Sequence, residues 1–204
     1  MIAHTRRILF VIVAAMLVLD CFAADNAGQL LQKCADKINS SPSLTLKFAL
    51  SYGDKKSNCE LIIARDKFRL SSADVEVWFD GTTQWSYSAS ESEVSITDPT
   101  PEEQLECNPF SIINNYKSVY SFRSLAGGKN EIELTAKSKM SSIRRAVLTI
   151  DPKTNLPSKM IVTMSNGRTF TATVTSAAVG KSLPSAVFTY DKAKYPARTT
   201  IDLR

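Results

Sequence analysis

Histidine is almost absent from this chain of 204 residues, with His4 the only one. His4 falls in an N-terminal stretch that reads as a removable leader, so the mature chain is expected to contain no histidine. That takes away the usual general base, the usual triad base and the commonest metal ligand. Clusters of five or more Lys/Arg are also missing. The net charge of +5 is spread along the chain, which gives nucleic-acid binding little support. No cysteine spacing resembles a zinc site or a Cys-x-x-Cys redox pair. The apolar run Ile8–Leu19 has 12 residues, too few to span a hydrocarbon core of about 30 Å as a helix.

That run has the anatomy of a secretory signal peptide. Arg6-Arg7 forms a basic start, and Asp20-Cys21-Phe22-Ala23-Ala24 forms a small-residue exit. Cleavage after Ala23 puts Cys21 and Ala23 at the two positions that must be small, giving a leader over residues 1–23 and one domain over 24–204. Cys21 also raises the alternative of a lipid-anchored N-terminus, although Asp20 stands where such signals have a small residue. Loss of Arg6, Arg7 and Asp20 takes the charge from +5 to +4. Cys34, Cys59 and Cys107 remain. Outside the cytoplasm they allow one disulfide, by any of three possible pairings, with one thiol left over, or none if they are small buried apolar residues.

Residues 27–38 read as an amphipathic helix, with Leu30, Leu31, Cys34 and Ile38 on one face. From Leu44 the period changes to two, since Leu44, Leu46, Phe48, Leu50 and Tyr52 alternate with polar or small residues. Further strands are expected at 59–64, 68–71, 75–79, around Trp85 and Tyr87, and at Val94 and Ile96. Asp80-Gly81 and Asn166-Gly167 are hairpin signals. Pro99, Pro101, Glu102 and Glu103, then Asn108-Pro109, mark two short helices within 99–117. Strands resume at 119–123, 131–135, 143–150, 159–164, 169–175, 187–190 and 201–204. Close-spaced strands and turns imply an antiparallel sheet curled into a barrel or half-barrel.

The same residues resemble the periplasmic lipoprotein carrier family, LolA, over nearly the whole mature chain. A helix precedes a strand with Phe48 at a family phenylalanine position, and Lys67-Phe68-Arg69 follows the family pattern. Asp80-Gly81-Thr82-Thr83-Gln84-Trp85-Ser86-Tyr87 is the most specific piece. Asn108-Pro109-Phe110 and Phe188-Thr189-Tyr190-Asp191 stand where the family has short helices and a late phenylalanine. One departure concerns an arginine-proline pair whose arginine locks the family's helical lid. Here Ala64-Arg65-Asp66 has no proline, and Arg65 is the equivalent. The resemblance implies a mainly β fold with short α-helices: an incomplete antiparallel β-barrel, closed by a helical lid over an apolar cavity.

It also implies a non-enzymatic carrier that takes acylated lipoproteins from an inner-membrane exporter across the periplasm to an outer-membrane acceptor, as a monomer without cofactor or metal. Burying three chains of about sixteen carbons at ~0.8 kcal/mol per methylene amounts to over ~30 kcal/mol. That exceeds the reversible ceiling of about 20 kcal/mol, so a shuttle shields its cargo partly or reopens at a receptor. The apolar groups expected at the cavity are Phe48, Leu50, Trp78, Trp85, Tyr87, Phe110, Ile112 and Ile113. Arg65 and Arg69 are the candidates for locking the lid. Alternatives are a carrier of another lipid, or an envelope-stress module that senses lipoproteins. Regulators of that kind carry a second domain, for which about 180 mature residues leave no room.

Overall fold

A computed structural model describes residues 26–101, 103–127 and 130–204, with the backbone but not the side chain of Glu106. The expected signal peptide, His4 and Cys21 lie outside the described residues. Residues 26–40 form helix α1. Strands β1 (Ser43–Tyr52), β2 (Lys55–Ala64), β3 (Lys67–Ser71), β4 (Val75–Phe79), β5 (Gln84–Ser88) and β6 (Glu93–Thr97) follow as a meander. Helix α2 (Gln104–Cys107), a 3-10 turn (Pro109–Ser111) and helix α3 (Ile112–Val119) interrupt it. Strands β7 (Tyr120–Ser124), β8 (Glu131–Ala136), β9 (Ile143–Ile150), β10 (Pro157–Met164) and β11 (Thr169–Gly180) form a second meander, and β12 (Thr199–Asp202) is the last strand.

The strands make one twelve-stranded sheet in the order β12-β6-β5-β4-β3-β2-β1-β11-β10-β9-β8-β7. Its end strands, β12 and β7, do not pair with each other, so the sheet is open, as an incomplete barrel must be. The two meanders are joined by β11, which lies antiparallel to both β1 and β10. Among the described residues every pairing is antiparallel except β12 with β6, which is parallel because the chain returns along the outer face before adding β12.

Turn chemistry fixes the registers. Tyr52 pairs with Lys55, leaving the two-residue turn Gly53-Asp54 with Gly53 at φ 55°, the type II′ arrangement whose first position favours glycine. The turn after β10 uses Gly167 at φ 80°, with the Arg168 amide bonded to Asn166 Oδ1 at 3.0 Å. Asp80-Gly81 belongs to a four-residue connection rather than a two-residue one, because Phe79 pairs with Gln84. Asp80 Oδ1 accepts from the amides of Thr82 and Thr83 at 3.0 and 2.9 Å. Residues 187–190, expected as strand, instead enter a 3-10 turn (Ser185–Phe188) that starts after Pro184 and carries Phe188 into a buried position.

One face of the sheet holds the core. Leu44, Leu46 and Phe48 of β1 share it with Leu61, Phe68, Leu148, Met160 and Val162 from the neighbouring strands. α1 buries Ala27, Leu31, Cys34 and Ile38 there, and α3 buries Ile112, Ile113 and Tyr116. Both helices therefore cover the inner face, and Gln32 Oε1 ties them by accepting from Lys117 Nζ at 2.7 Å. The predicted period-two and helical patterns place these residues, and hydrophobic burial holds them.

Candidate functional site

Between the inner face and the α2 segment lies an apolar cavity of about 440 Å³. The sheet contributes Phe48, Leu50, Cys59, Leu70, Ile143, Met164 and Phe170, and the lid contributes Leu105, Cys107 and Pro109. Tyr52, Asn166 and Arg168 stand at its mouth, where the β1–β2 and β10–β11 turns meet. A β-bulge in β11 beside Phe48 shapes this wall: Lys47 pairs with Ser176 but Phe48 with Val174. The extra residue, Thr175, donates from its hydroxyl to the Lys47 carbonyl at 3.1 Å.

The lid is held by local chemistry. The Glu103 carboxylate accepts from the Thr100 amide at 2.7 Å and its hydroxyl at 2.8 Å, while the Glu103 amide donates back to Thr100 Oγ1 at 3.3 Å. This is a capping box at the entry to α2. The Thr100 backbone and hydroxyl bonds hold the Glu103 carboxyl below the usual carboxylate range. Phe110 closes the lid onto the sheet, with its ring edge-on to Phe48 at 5.6 Å between centroids.

Of the residues expected at the cavity, Phe48 and Leu50 line it. Phe110 is buried against Phe48, and Ile112 and Ile113 are buried beside it in the core, so these three anchor the lid without lining the cavity. Trp78, Trp85 and Tyr87 sit elsewhere. Phe79 and Val77 take the inward positions of β4, which turns Trp78 outward, and the register puts Trp85 opposite Trp78 and Tyr87 opposite Glu76. On that outer face Trp78 packs edge-on against Tyr190 and Tyr195 at 5.5 and 4.9 Å, and Tyr87 against Tyr195 at 5.7 Å.

Arg69 shares the outer face, so the structure does not place it at the lid. It pairs with Glu76 at 3.1 Å, donates to the Tyr195 hydroxyl at 2.8 Å, and lies 5.7 Å from the Trp78 ring. Its contacts hold the C-terminal segment to the sheet. Arg65 lies in the β2–β3 turn at φ 58° and borders a smaller pocket of about 210 Å³ with Gln104, Asn108 and Asn114 of the lid. Arg65 is thus brought beside the lid, but among the described residues it donates no hydrogen bond to it.

Sequence reasoning missed Met164, Arg168 and Phe170 as site residues. The signal for Phe170 is its place in the alternation Phe170, Ala172, Val174 of β11, which faces inward with Phe48 and Leu50. No disulfide joins any of the three described cysteines to another. Burial pushes the Cys34 thiol up to about 12 and raises that of Cys59 as well, so both behave as small apolar residues. No group of His, Cys, Asp or Glu among the described residues is arranged to hold a metal ion. None of their helices is long and apolar enough to cross a membrane.

Residues 19–168 match the family described as outer membrane lipoprotein carrier protein LolA. The chain belongs to the LolA family. No curated protein sequence matches this LolA-family chain. Among solved structures, an uncharacterized conserved protein from Thermus thermophilus is similar at 13% identity and a TM-score of 0.57, over 86% of this chain and 98% of that one. MucB is similar at 16% identity and a TM-score of 0.50, over 82% of this chain and 63% of that one. The complex of Pseudomonas aeruginosa MucA and MucB aligns at 18% identity and a TM-score of 0.49, over 84% of this chain and 63% of that one. The LolA-family chain therefore spans less than two thirds of MucB. These likenesses are of fold: an open sheet over which short helices close, in a family of binding and carrier proteins.

Proposed function

We propose that this LolA-family chain is an exported carrier of the periplasm that binds the acyl chains of lipoproteins and moves them from the inner to the outer membrane. The observation that carries the reading is the apolar cavity between β-sheet and lid, lined by Phe48, Leu50, Leu70, Leu105, Met164 and Phe170. A methylene is of the order of a water's ~30 Å³ share of liquid volume, so 440 Å³ has room for about fifteen of them, one acyl chain. At ~0.8 kcal/mol each, that burial is worth about 12 kcal/mol before ordering costs. The figure lies below the reversible ceiling of about 20 kcal/mol. A cavity for one chain thus shields a multiply acylated cargo partly, and release stays feasible without dismantling the fold.

Each part has a role in that reading. The Phe48–Phe110 contact holds the lid shut over the cavity, and the short α2 segment, tied by Thr100 and Glu103, supplies the cavity's other wall. Opening needs only the separation of that segment from β1 and β10, since α3 is anchored independently by Ile112, Ile113 and Tyr116. The test is to produce the full chain in a bacterial periplasm, purify it without detergent, and identify bound acylated species by intact mass and lipid extraction. Lipoprotein should co-purify and should be released from spheroplasts by added protein. A chain that carries no acylated species and releases none ends the carrier reading.

The likeness to MucB, whose structure is known in complex with MucA, supports a second reading. In it the same cavity serves an envelope-stress module that senses lipoproteins and answers to a protein partner. Capture of a specific periplasmic partner that acylated peptide displaces, with no transfer to outer membrane, would select it.

A further inference from the structure

The described lining of the cavity is almost entirely apolar, and none of the described residues that line it carries a carboxylate. Among the described lining residues the strongly polar side chains are Asn166 and Arg168, and both belong to the mouth. Asn166 Oδ1 is already engaged by the Arg168 amide within the turn. The Arg168 guanidinium forms no ion pair among the described residues. It is held across the mouth by the face of Tyr52, with its central carbon 5.6 Å from the ring centroid. An arginine stacked on tyrosine keeps its forked donors free in the plane of the guanidinium, and that fork matches carboxylate and phosphate oxygens. The β1–β2 turn bordering the mouth is basic as well, with Lys55 and Lys56 following Asp54.

We infer that this cavity takes a single acyl chain bearing an anionic head, with the chain between Phe48 and Phe170 and the carboxylate or phosphate on Arg168. The inference rests on the acyl-chain reading of the cavity but not on lipoprotein cargo, because the amide- or ester-linked chains of a lipoprotein bring no anion of their own to the mouth. It extends the ligand class to fatty acids and single-chain phospholipids. The two share the needed chemistry, a long alkyl chain and oxygens carrying negative charge. Arg168 is exposed, so the charge contributes selectivity on top of an affinity set by the apolar wall.

The test is competition against the uncharged fluorescent probe N-phenyl-1-naphthylamine, using oleate, monooleoyl lysophosphatidylglycerol and oleyl alcohol below their aggregation limits. Wild type should bind at least one of the two anions about fivefold more tightly than the alcohol. The tighter of the two identifies the head. Arg168→Gln should bring the anions' affinity down to that of the alcohol for the same variant, and Arg168→Lys should retain part of the preference. Anions and alcohol binding within twofold of each other would overturn the inference and leave the acyl-chain reading standing. A preference that survives in Arg168→Gln would also overturn it, by moving the charge recognition elsewhere. Failure of all three ligands to displace the probe would remove the acyl-chain reading itself.

Discussion

Replacing Phe110 by alanine isolates the contact that holds the lid. The Phe110 ring is 2% exposed and meets Phe48, itself 3% exposed, edge-on at 5.6 Å. Truncating a fully buried phenylalanine costs about 3–5 kcal/mol, from lost transfer energy and the cavity left behind. The edge-to-face pairing accounts for about 0.5–1.5 kcal/mol of that. Phe110 borders a smaller pocket that already exists, so the new void opens onto that pocket and can take up water, which puts the cost at the lower end of the range. A loss near 3 kcal/mol is therefore expected, which for a chain of this size lowers the melting temperature by about 6–12 °C. Urea unfolding of Phe48→Ala, Phe110→Ala and the double variant gives the coupling, expected at about 1 kcal/mol. A loss under about 1 kcal/mol for Phe110→Ala, with coupling indistinguishable from zero, would refute the geometry on which the closed lid depends.

Gly81→Ala should cost about 1–3 kcal/mol in urea unfolding, because φ is +104° and a Cβ would come 2.7 Å from Asp66 Oδ2; Asp66→Ala relieves the clash but not the backbone strain, so the double variant stays less stable than Asp66→Ala alone. Glu133 accepts from Arg123 and Arg145, and the Arg123 bond leads in holding its carboxyl below the usual range. A depressed folded value stabilises above the unfolded carboxyl pKa and is lost as pH falls through the folded one. Wild type should thus lose more stability than Glu133→Gln between about pH 5 and 3, by denaturation at stepped pH. Ellman's reagent at about pH 8 should leave buried Cys34 unmodified in the folded protein while labelling Cys107 on the cavity wall, and a bound acyl ligand should slow the Cys107 reaction.

The inner face of the first strand was legible because Leu44, Leu46, Phe48 and Leu50 alternate with residues that face away. On β4 the same rule fails to choose a side, since Val77, Trp78 and Phe79 are all buried. That strand is covered on both faces, inward by core and outward by the C-terminal segment with Phe188, Tyr190 and Tyr195. Nothing local in residues 75–87 announces a cover that comes from a hundred residues further on, so alternation alone points Trp78, Trp85 and Tyr87 at the cavity they turn their backs on. Arg69 follows the same logic: its charge suggests a lock, but its partner is the Glu76–Tyr195 clamp. The lid was legible as punctuation, through Pro101, Glu103 and Pro109. Its wall residues Leu105 and Cys107 were not, because a four-residue helix is too short for a periodic pattern. Arg168 reads as an ordinary turn residue, and only the meeting of two hairpins makes it a mouth.

The place of β11 sets the order in which this molecule can assemble. The strand joins the two meanders, and its residue Thr175 bonds to Lys47, 128 positions earlier. At synthesis rates of about 5–20 residues per second, the first strand waits on the order of ten seconds for its neighbour. Until then the β1–β6 meander has its β1 edge bare and its apolar face uncovered, the condition in which strands of different chains recruit one another. Closure also brings together ends far apart in sequence, which slows folding relative to a chain of local contacts. A nascent chain of this design stays open and unfinished until its final strands emerge. Its solubility during that interval depends on whatever shields the bare edge of β1.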